Sequence, residues 1–336
     1  MALEPLLLPI EDRSQVGEAR RQAFALAGTA GLGDVSREQV ALVVTELGTN
    51  LIKHAGGGAL IVRVLSGAPA LEVLSLDRGV GIAHIDESLR DGFSTSGSAG
   101  TGLGAVHRLS CLLDVYSTRP GGTAIVARVG ARRAPESATT KLWDFGAVCV
   151  PKAGENINGD AWSAAIDAEG SFSVLLVDGL GHGLGAADAA RAAVHVFETR
   201  PDLSPATQVG AVHAALRGTR GAAVAVAQIN RRRGTLGFAG IGNVAGSIIS
   251  GDETRQLVSM NGTVGHAARR ISEFTYPWPD DALLVLHTDG LGSRWSLDRY
   301  PGLTHHHPAL IAGVLYRDFH RRADDVTVFA VRRRLP

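Results

Sequence analysis

The feature of this sequence that most restricts its fold is a unit that occurs twice: an apolar run ending in Asp-Gly-Leu-Gly. Val174–Val177 leads into Asp178-Gly179-Leu180-Gly181-His182-Gly183. Leu283–Leu286 leads through His287-Thr288 into Asp289-Gly290-Leu291-Gly292. A short apolar run followed by a glycine-rich turn reads as a buried strand. A carboxylate at its end is held at the rim of a core, where a hard cation can be bound. A single Asp-Gly after a strand is most often a plain turn; its recurrence in one chain points beyond a turn.

The chain has 336 residues, enough for two cores. Linker composition is found at 131–140, which is small, polar and basic, contains a proline and carries no apolar periodicity. Residues 1–130 and 141–336 are therefore expected to be separate domains. Lysine plus arginine and aspartate plus glutamate number 33 each. That balance argues against a nucleic-acid partner or an anionic-membrane surface. No apolar run approaches spanning length, and the first residues lack a basic segment before their short apolar patch, so a cytoplasmic location is expected. Cys111 and Cys149 form neither a metal spacing nor a disulfide framework.

In the first half, Ser36 is a plausible N-cap of a helix running to about His54. Val40, Val43, Val44, Leu47 and Leu51 share one face of it. Glu46, Asn50, Lys53 and His54 form a polar stripe beside that face, which is either a solvated edge or a surface for a metal–phosphate ligand. Strands at Leu60–Leu65 and Leu71–Leu76 follow, the second ending in Asp77-Arg78-Gly79-Val80-Gly81. Gly100-Thr101-Gly102-Leu103-Gly104 then enters a helix, and its backbone N–H groups suit phosphate oxygens.

The ordered set Glu-x-x-x-Asn-x-x-Lys-His, Asp-x-Gly-x-Gly and Gly-Thr-Gly-Leu-Gly resembles the ATP-binding domain of histidine kinases, the gyrase ATPase and heat-shock protein ninety. The stretch Thr45–Gly58 is closer to the switch serine/threonine kinases of the RsbT and RsbW type. That resemblance implies an α/β sandwich of the Bergerat type binding ATP and Mg²⁺. Asn50 would hold the Mg²⁺ and Glu46 would be the general base toward a serine or threonine hydroxyl. Asp77 would accept from the adenine amino group, and Gly79 and Gly81 would let the backbone approach the nucleotide. Thr101, Gly102 and Gly104 would cradle the phosphates; Lys53, Leu103 and Thr123 complete the expected nucleotide site.

In the second half, Asp160, Asp178, Asp289 and the pair Asp324-Asp325 each lie at a strand end or start. Carboxylates without histidine or cysteine partners suit Mg²⁺ or Mn²⁺. The matching residues Gly159-Asp160, Asp178–Gly183, Thr288-Asp289-Gly290 and Asp324–Thr327 resemble the PPM-class metal-dependent serine/threonine phosphatases, in the SpoIIE and RsbX branch. The resemblance implies a β-sandwich flanked by helices and two Mn²⁺ or Mg²⁺ ions. Asp178 would bridge the ions, with the Gly179 carbonyl on one of them. Asp160 would serve one ion, Asp289 and Asp324 the other, with motif position favouring Asp324 over Asp325, and His182 would protonate the leaving oxygen. The arginine that contacts phosphate in many relatives has no clear counterpart; Lys152 is the nearest. Three histidines, His305–His307, sit between prolines and read as a loop and not a metal site.

The expected architecture is thus a two-domain α/β chain. Its expected function is to phosphorylate and dephosphorylate serine or threonine on a STAS-domain partner. That partner would be an anti-sigma-factor antagonist or a stressosome component, and the chain itself would be a possible homodimer. The alternative is a phosphatase gated by a catalytically silent, ATP- and partner-binding first domain.

Overall fold

The structure, a computed structural model, describes residues 4–65, 69–89, 102–130, 142–268 and 270–334. The chain folds as two compact units, Met1–Pro135 with His305–Arg317, and Glu136–Thr304 with Asp318–Pro336.

In the first unit the elements run β1 (Leu6–Ile10), α1 (Arg13–Thr29), α2 (Asp34–Asn50), β2 (Gly58–Val64), β3 (Ala70–Leu76), α3 (Ile85–Ser88), α4 (Gly102–Leu109), β4 (Leu112–Thr118) and β5 (Gly122–Gly130). The strands form one antiparallel sheet in the order β1-β2-β3-β5-β4. Helix α1 starts where the side chain of Asp12 accepts from the amides of Ser14 and Gln15, a capping box completed by Gln15. The apolar face of α2 (Val40, Val43, Val44, Leu47) packs with Val16, Ala19 and Ala23 of α1 onto Leu60, Val62, Leu71 and Val73 of the sheet. One expectation about α2 is corrected: its N-cap is Gly33, with no side-chain cap, so Ser36 lies inside the first turns. The helical run ends at Ala55, close to the expected His54, but Leu51–Ala55 is wound as a π-helix closed by left-handed Gly56.

The second unit contains β6 (Trp143–Val150), β7 (Asp160–Ile166), β8 (Phe172–Gly179), α5 (Leu184–Thr199), α6 (Pro205–Ala215), β9 (Ala222–Asn230), β10 (Thr235–Ile241), β11 (Ala245–Ser250), β12 (Glu253–Gln256), β13 (Ser259–Met260), β14 (Phe274–Pro277), β15 (Leu283–His287) and β16 (Val326–Arg333). One sheet is ordered β13-β10-β9-β8-β7, with β14 on β10; the other is ordered β12-β11-β15-β16-β6. Phe172, Val174 and Leu176 of β8 share a core with Leu284, Leu286, Phe329 and Val331 of the second sheet. Leu175 and Val177 face the opposite way, into a core with Ala189, Ala193 and Phe197 of α5. Strand β8 is buried on both faces, which is why its sequence reads as a continuous apolar run. No helix among the described residues is long and apolar enough to cross a membrane.

Helix α7 (Pro308–Phe319) was expected with the second half, yet residues up to Arg317 fold with the first unit. Every residue from Pro308 to Arg317 is buried, as expected of a helix apolar all round. A Cβ on Gly313 would lie 3.1 Å from Leu76. The Asp114 carboxylate accepts from the His307 amide at 2.6 Å and meets His306 Nδ1 at 2.8 Å, so these histidines serve a carboxylate.

Glu72 of β3, fully buried, faces Arg63 and Arg128 on the two neighbouring strands at 2.7 and 2.8 Å. Burial alone pushes its carboxyl up, but Arg63, Arg128 and His307 together pull it down to about 2. Removing one member of a buried ion cluster leaves uncompensated charge, so Glu72→Ala is expected to lower stability by about 3–5 kcal/mol. Because the folded value is the lower one, Glu72's contribution is complete above the ordinary value of 4.5 and is lost as pH falls toward about 2. Hydrogen exchange of the β3 amides in the full chain, against pH and in the variant, measures both. Unchanged protection in Glu72→Ala would show the triad to be dispensable.

Candidate functional site

The first unit presents one cluster of expected site residues. Glu46 and Asn50, one turn apart on α2, are both half-buried. Lys53 and His54 follow on the π-helix and are exposed. A π turn inserts extra backbone and re-aims the residues after it, and such turns recur at functional sites. Asp77 leaves the end of β3. Its Oδ1 accepts from the amides of Gly79 at 2.8 Å and Thr123 at 3.1 Å. One oxygen is thereby fixed, and Oδ2 can accept from a ligand. Burial raises its pKa, against the two amides, Arg317 and His54.

The glycines of this loop are needed by the protein itself. A Cβ on Gly79 would come within 2.7 Å of Ala55, and one on Gly81, at φ +78, within 2.2 Å of the Thr118 carbonyl. Gly102, Leu103 and Gly104 form the first turn of α4, with Leu103 and Gly104 buried. Thr101 lies outside the described residues, as does the linker 131–140. Sequence reasoning missed Ser117, whose hydroxyl accepts from the Ile82 amide at 2.8 Å and meets the Thr123 hydroxyl at 3.0 Å. The signal was its register opposite Thr123 across the β4–β5 hairpin. Also missed was Arg317, whose Nη1 donates to the Asp77 carbonyl at 2.9 Å.

In the second unit the aspartates gather from both sheets. Asp160 and Asp178 are direct partners across β7 and β8. Asp289 follows β15 and Asp324 precedes β16, strands paired with each other. Asp178 is pushed up to about 7 by burial, then by the charges of Asp289 and Asp324. Asp160 is raised well above its ordinary value by burial and by Asp178; Asp324 is raised by burial and by Asp289. Among the described residues no three His, Cys, Asp or Glu side chains already close as a coordination shell. Mutually repelling oxygen donors with no histidine or cysteine fit hard divalent cations, which would return them to the ionised form.

Asp325 behaves differently. Its Oδ1 accepts from the Lys152 amide and its Oδ2 from the Gly159 amide, both at 2.8 Å. Both oxygens are thus engaged in bracing the loop before Asp160. The Gly179 amide donates to the Gly159 carbonyl at 3.1 Å, which pins the same loop to the end of β8. Two further braces have roles that the sequence did not assign, although Thr288 stands in the Thr288-Asp289-Gly290 motif. Thr288 Oγ1 donates to Asp160 Oδ2 at 2.7 Å and accepts from the Thr327 amide at 2.9 Å. Asn243, in the turn between β10 and β11, donates to Asp289 Oδ2 at 2.5 Å and also favours ionised Asp178. Only its place in Gly242-Asn243, between two strands, distinguished it in sequence. His182 is 57% exposed and its Nδ1 lies 2.7 Å from Glu155 Oε1. Lys152 Nζ lies 3.2 Å from the same oxygen.

Residues 9–129 match the histidine kinase-like ATPase domain family, and residues 168–334 match stage II sporulation protein E (SpoIIE). The serine/threonine-protein kinase RsbT of Bacillus subtilis (strain 168) is 33% identical over 111 residues, 32% of this chain and 84% of that protein. A structure from work on the bacterial stressosome, a modular system adapted to control secondary messenger signaling, is 26% identical. It covers 56% of this chain and 99% of its own, with a TM-score of 0.53. RsbX in complex with magnesium, 20% identical over 58% of this chain and 96% of its own, shares the fold at a TM-score of 0.50. Glu46, Asn50 and Asp77 therefore lie within the stretch that matches the histidine kinase-like ATPase family, and Asp178, Asp289 and Asp324 within the stretch that matches SpoIIE, which Asp160 precedes. The chain is a member of the RsbT family of histidine kinase-like ATPase domains, continued by a stretch that matches SpoIIE.

Proposed function

We propose that this chain is a bifunctional switch protein. Its first unit transfers phosphate from ATP to serine or threonine on a STAS-domain partner, and its second unit removes it. The observation that carries the reading is the convergence of Asp160, Asp178, Asp289 and Asp324 from two sheets, where burial and neighbouring carboxylates raise Asp160, Asp178 and Asp324. The RsbT likeness and the stressosome relative support the choice of partner class.

In the phosphatase unit, Asp160, Asp178 and the Gly179 carbonyl would hold one Mg²⁺ or Mn²⁺, and Asp178, Asp289 and Asp324 the other. We assign Asp324 over Asp325 because both oxygens of Asp325 already accept backbone N–H groups. The ions would supply Lewis acidity toward the phosphate and an activated water. Thr288 and Asn243 orient the ligands Asp160 and Asp289. Glu155 holds His182 Nδ1, which leaves Nε2 to protonate the departing serine or threonine oxygen. In the kinase unit, Glu46 would accept the hydroxyl proton, Asn50 would hold Mg²⁺, Asp77 Oδ2 would accept from the adenine amino group, and the first turn of α4 would serve the phosphates. Lys53 adds a cation beside that ligand.

A second reading, a phosphatase gated by a nucleotide-binding but catalytically silent first unit, is favoured by one observation. Arg317 binds the Asp77 carbonyl within the first unit, and the same stretch of chain continues directly to Asp324.

Asp178→Asn is expected to cut metal-dependent turnover of a phosphorylated STAS protein by at least about 100-fold while leaving ATP binding intact. In that background, labelled ATP with Mg²⁺ should leave label on the partner. Adding Glu46→Ala should lower the labelling rate by about 10²–10⁴-fold. No labelling by Asp178→Asn would sink the kinase half and leave the gated phosphatase standing. Thr288→Val should raise the metal concentration for half-maximal turnover by about 10–100-fold. An unchanged metal titration would remove Thr288 from the support of Asp160.

A further inference from the structure

We infer that Arg220 is the phosphate-binding cation of the second unit. The assignment rests on the phosphatase reading above and concerns how that site captures its phosphoserine or phosphothreonine.

Arg220 sits two residues ahead of Ala222, where β9 begins opposite the end of β8. Ala222 pairs with Gly179 and Ala223 with Asp178. Beyond the sheet, the Leu180 amide still donates to the Gly221 carbonyl at 3.0 Å. The residue is therefore delivered to the loop that follows Asp178-Gly179. Its backbone is pinned from several sides. The Gly221 amide donates to Thr219 Oγ1 and His266 Nε2 meets the Thr219 carbonyl, both at 3.0 Å, and the Ala222 amide donates to the Val264 carbonyl at 3.1 Å.

The side chain lies across the glycine loop. Arg220 Nη1 donates to the His182 carbonyl at 3.4 Å, a long bond that leaves most of the guanidinium's donors for another acceptor. A Cβ on Gly181 would be 3.3 Å from Nη1, and a Cβ on Gly185 would be 2.7 Å from Nε. The glycines at 181 and 185 thus make the bed on which the guanidinium rests. The first turn of α5 begins here at Leu184, with Gly183 as N-cap and no side-chain cap bond.

Charge completes the argument. Lys152, the cation expected for this role, shares the Glu155 carboxylate with His182. Among the described residues Arg220 pairs with no carboxylate within 4.0 Å. An arginine presents paired N–H groups that match two oxygens of one phosphate, which an ammonium does not. A cation kept out of ion pairs and laid on the loop that follows Asp178-Gly179 is placed to take the phosphate oxygens that the metals do not.

The test uses the full chain, saturating Mn²⁺, a phosphorylated STAS protein and p-nitrophenyl phosphate as substrates, and inorganic phosphate as inhibitor. Arg220→Ala should raise KM for both substrates and the inhibition constant for phosphate about tenfold or more, with the Mn²⁺ concentration for half-maximal activity unchanged. Arg220→Lys should recover part of the loss. Gly185→Ala keeps the charge but drives a Cβ against Nε, so phosphate inhibition should weaken in the same direction. A wild-type chain without metal-dependent turnover would overturn the phosphatase reading and this assignment with it. Turnover with phosphate inhibition unchanged in Arg220→Ala, or a shift confined to the metal titration, would overturn Arg220's role alone.

Discussion

Like charges held together in a buried place organise the second unit. Asp160 and Asp178 are partners across a strand pair; burial raises both, helped by Asp178 at Asp160 and by Asp289 and Asp324 at Asp178. Left to themselves, such side chains would turn toward water. They are kept in place by groups that belong to the fold: Thr288 on Asp160, Asn243 on Asp289, and the amides of Lys152 and Gly159 on Asp325. Behind them stands a packed aromatic layer, with Phe145, Trp162 and Phe172 all in ring contact with Phe329. The sandwich supplies the rigidity, and the open end of the sandwich carries the electrostatic cost.

The first unit handles a buried acid in the opposite way. Glu72 lies between two arginines on adjacent strands and its pKa falls, whereas Asp178 lies among other acids and its pKa rises. Both are buried, so burial does not decide the direction; the sign of the neighbours does. A carboxylate neutralised by its own protein is structural. A group of carboxylates left without protein cations is set up for a ligand of positive charge. The two units use one residue chemistry for two purposes.

What the sequence made legible follows from the same distinction between local and distant causes. Strand β8 was readable because burial on both faces leaves an uninterrupted apolar run, and α2 because one face must meet the sheet. The aspartates were readable because each sits at a strand end. Ser36 looked like an N-cap, yet the chain enters the helix one turn earlier from Gly33, since Asp34 and Val35 already adopt helical geometry. The π turn after Asn50 has no compositional signature; it is imposed where the helix must meet Gly56 and the close packing of Gly79 on Ala55. Thr288, Asn243 and Arg220 act through partners far along the chain; Thr288 stands in a recognisable motif, but its bond to Asp160 and the roles of the other two have no local mark. Glycines at 181 and 185 were visible as a cluster, but their use as a bed for Arg220 needed the tertiary neighbour.

The segment 305–317 shows how far such distant causes reach. It follows the β15 aspartate in sequence and precedes the β16 aspartate, but it folds with the nucleotide-type unit. Its apolar character on all sides is a demand for burial that composition announces without saying where. Within that unit its end is fixed by Arg317 on the Asp77 carbonyl and by Arg78 on the Arg317 carbonyl. Past that point the chain returns to the second unit, where the Gly292 amide donates to the Phe319 carbonyl at 2.8 Å and the Arg321 amide to the Gly290 carbonyl at 2.7 Å. The loop that carries Asp289 is therefore tied to the residues immediately after the helix.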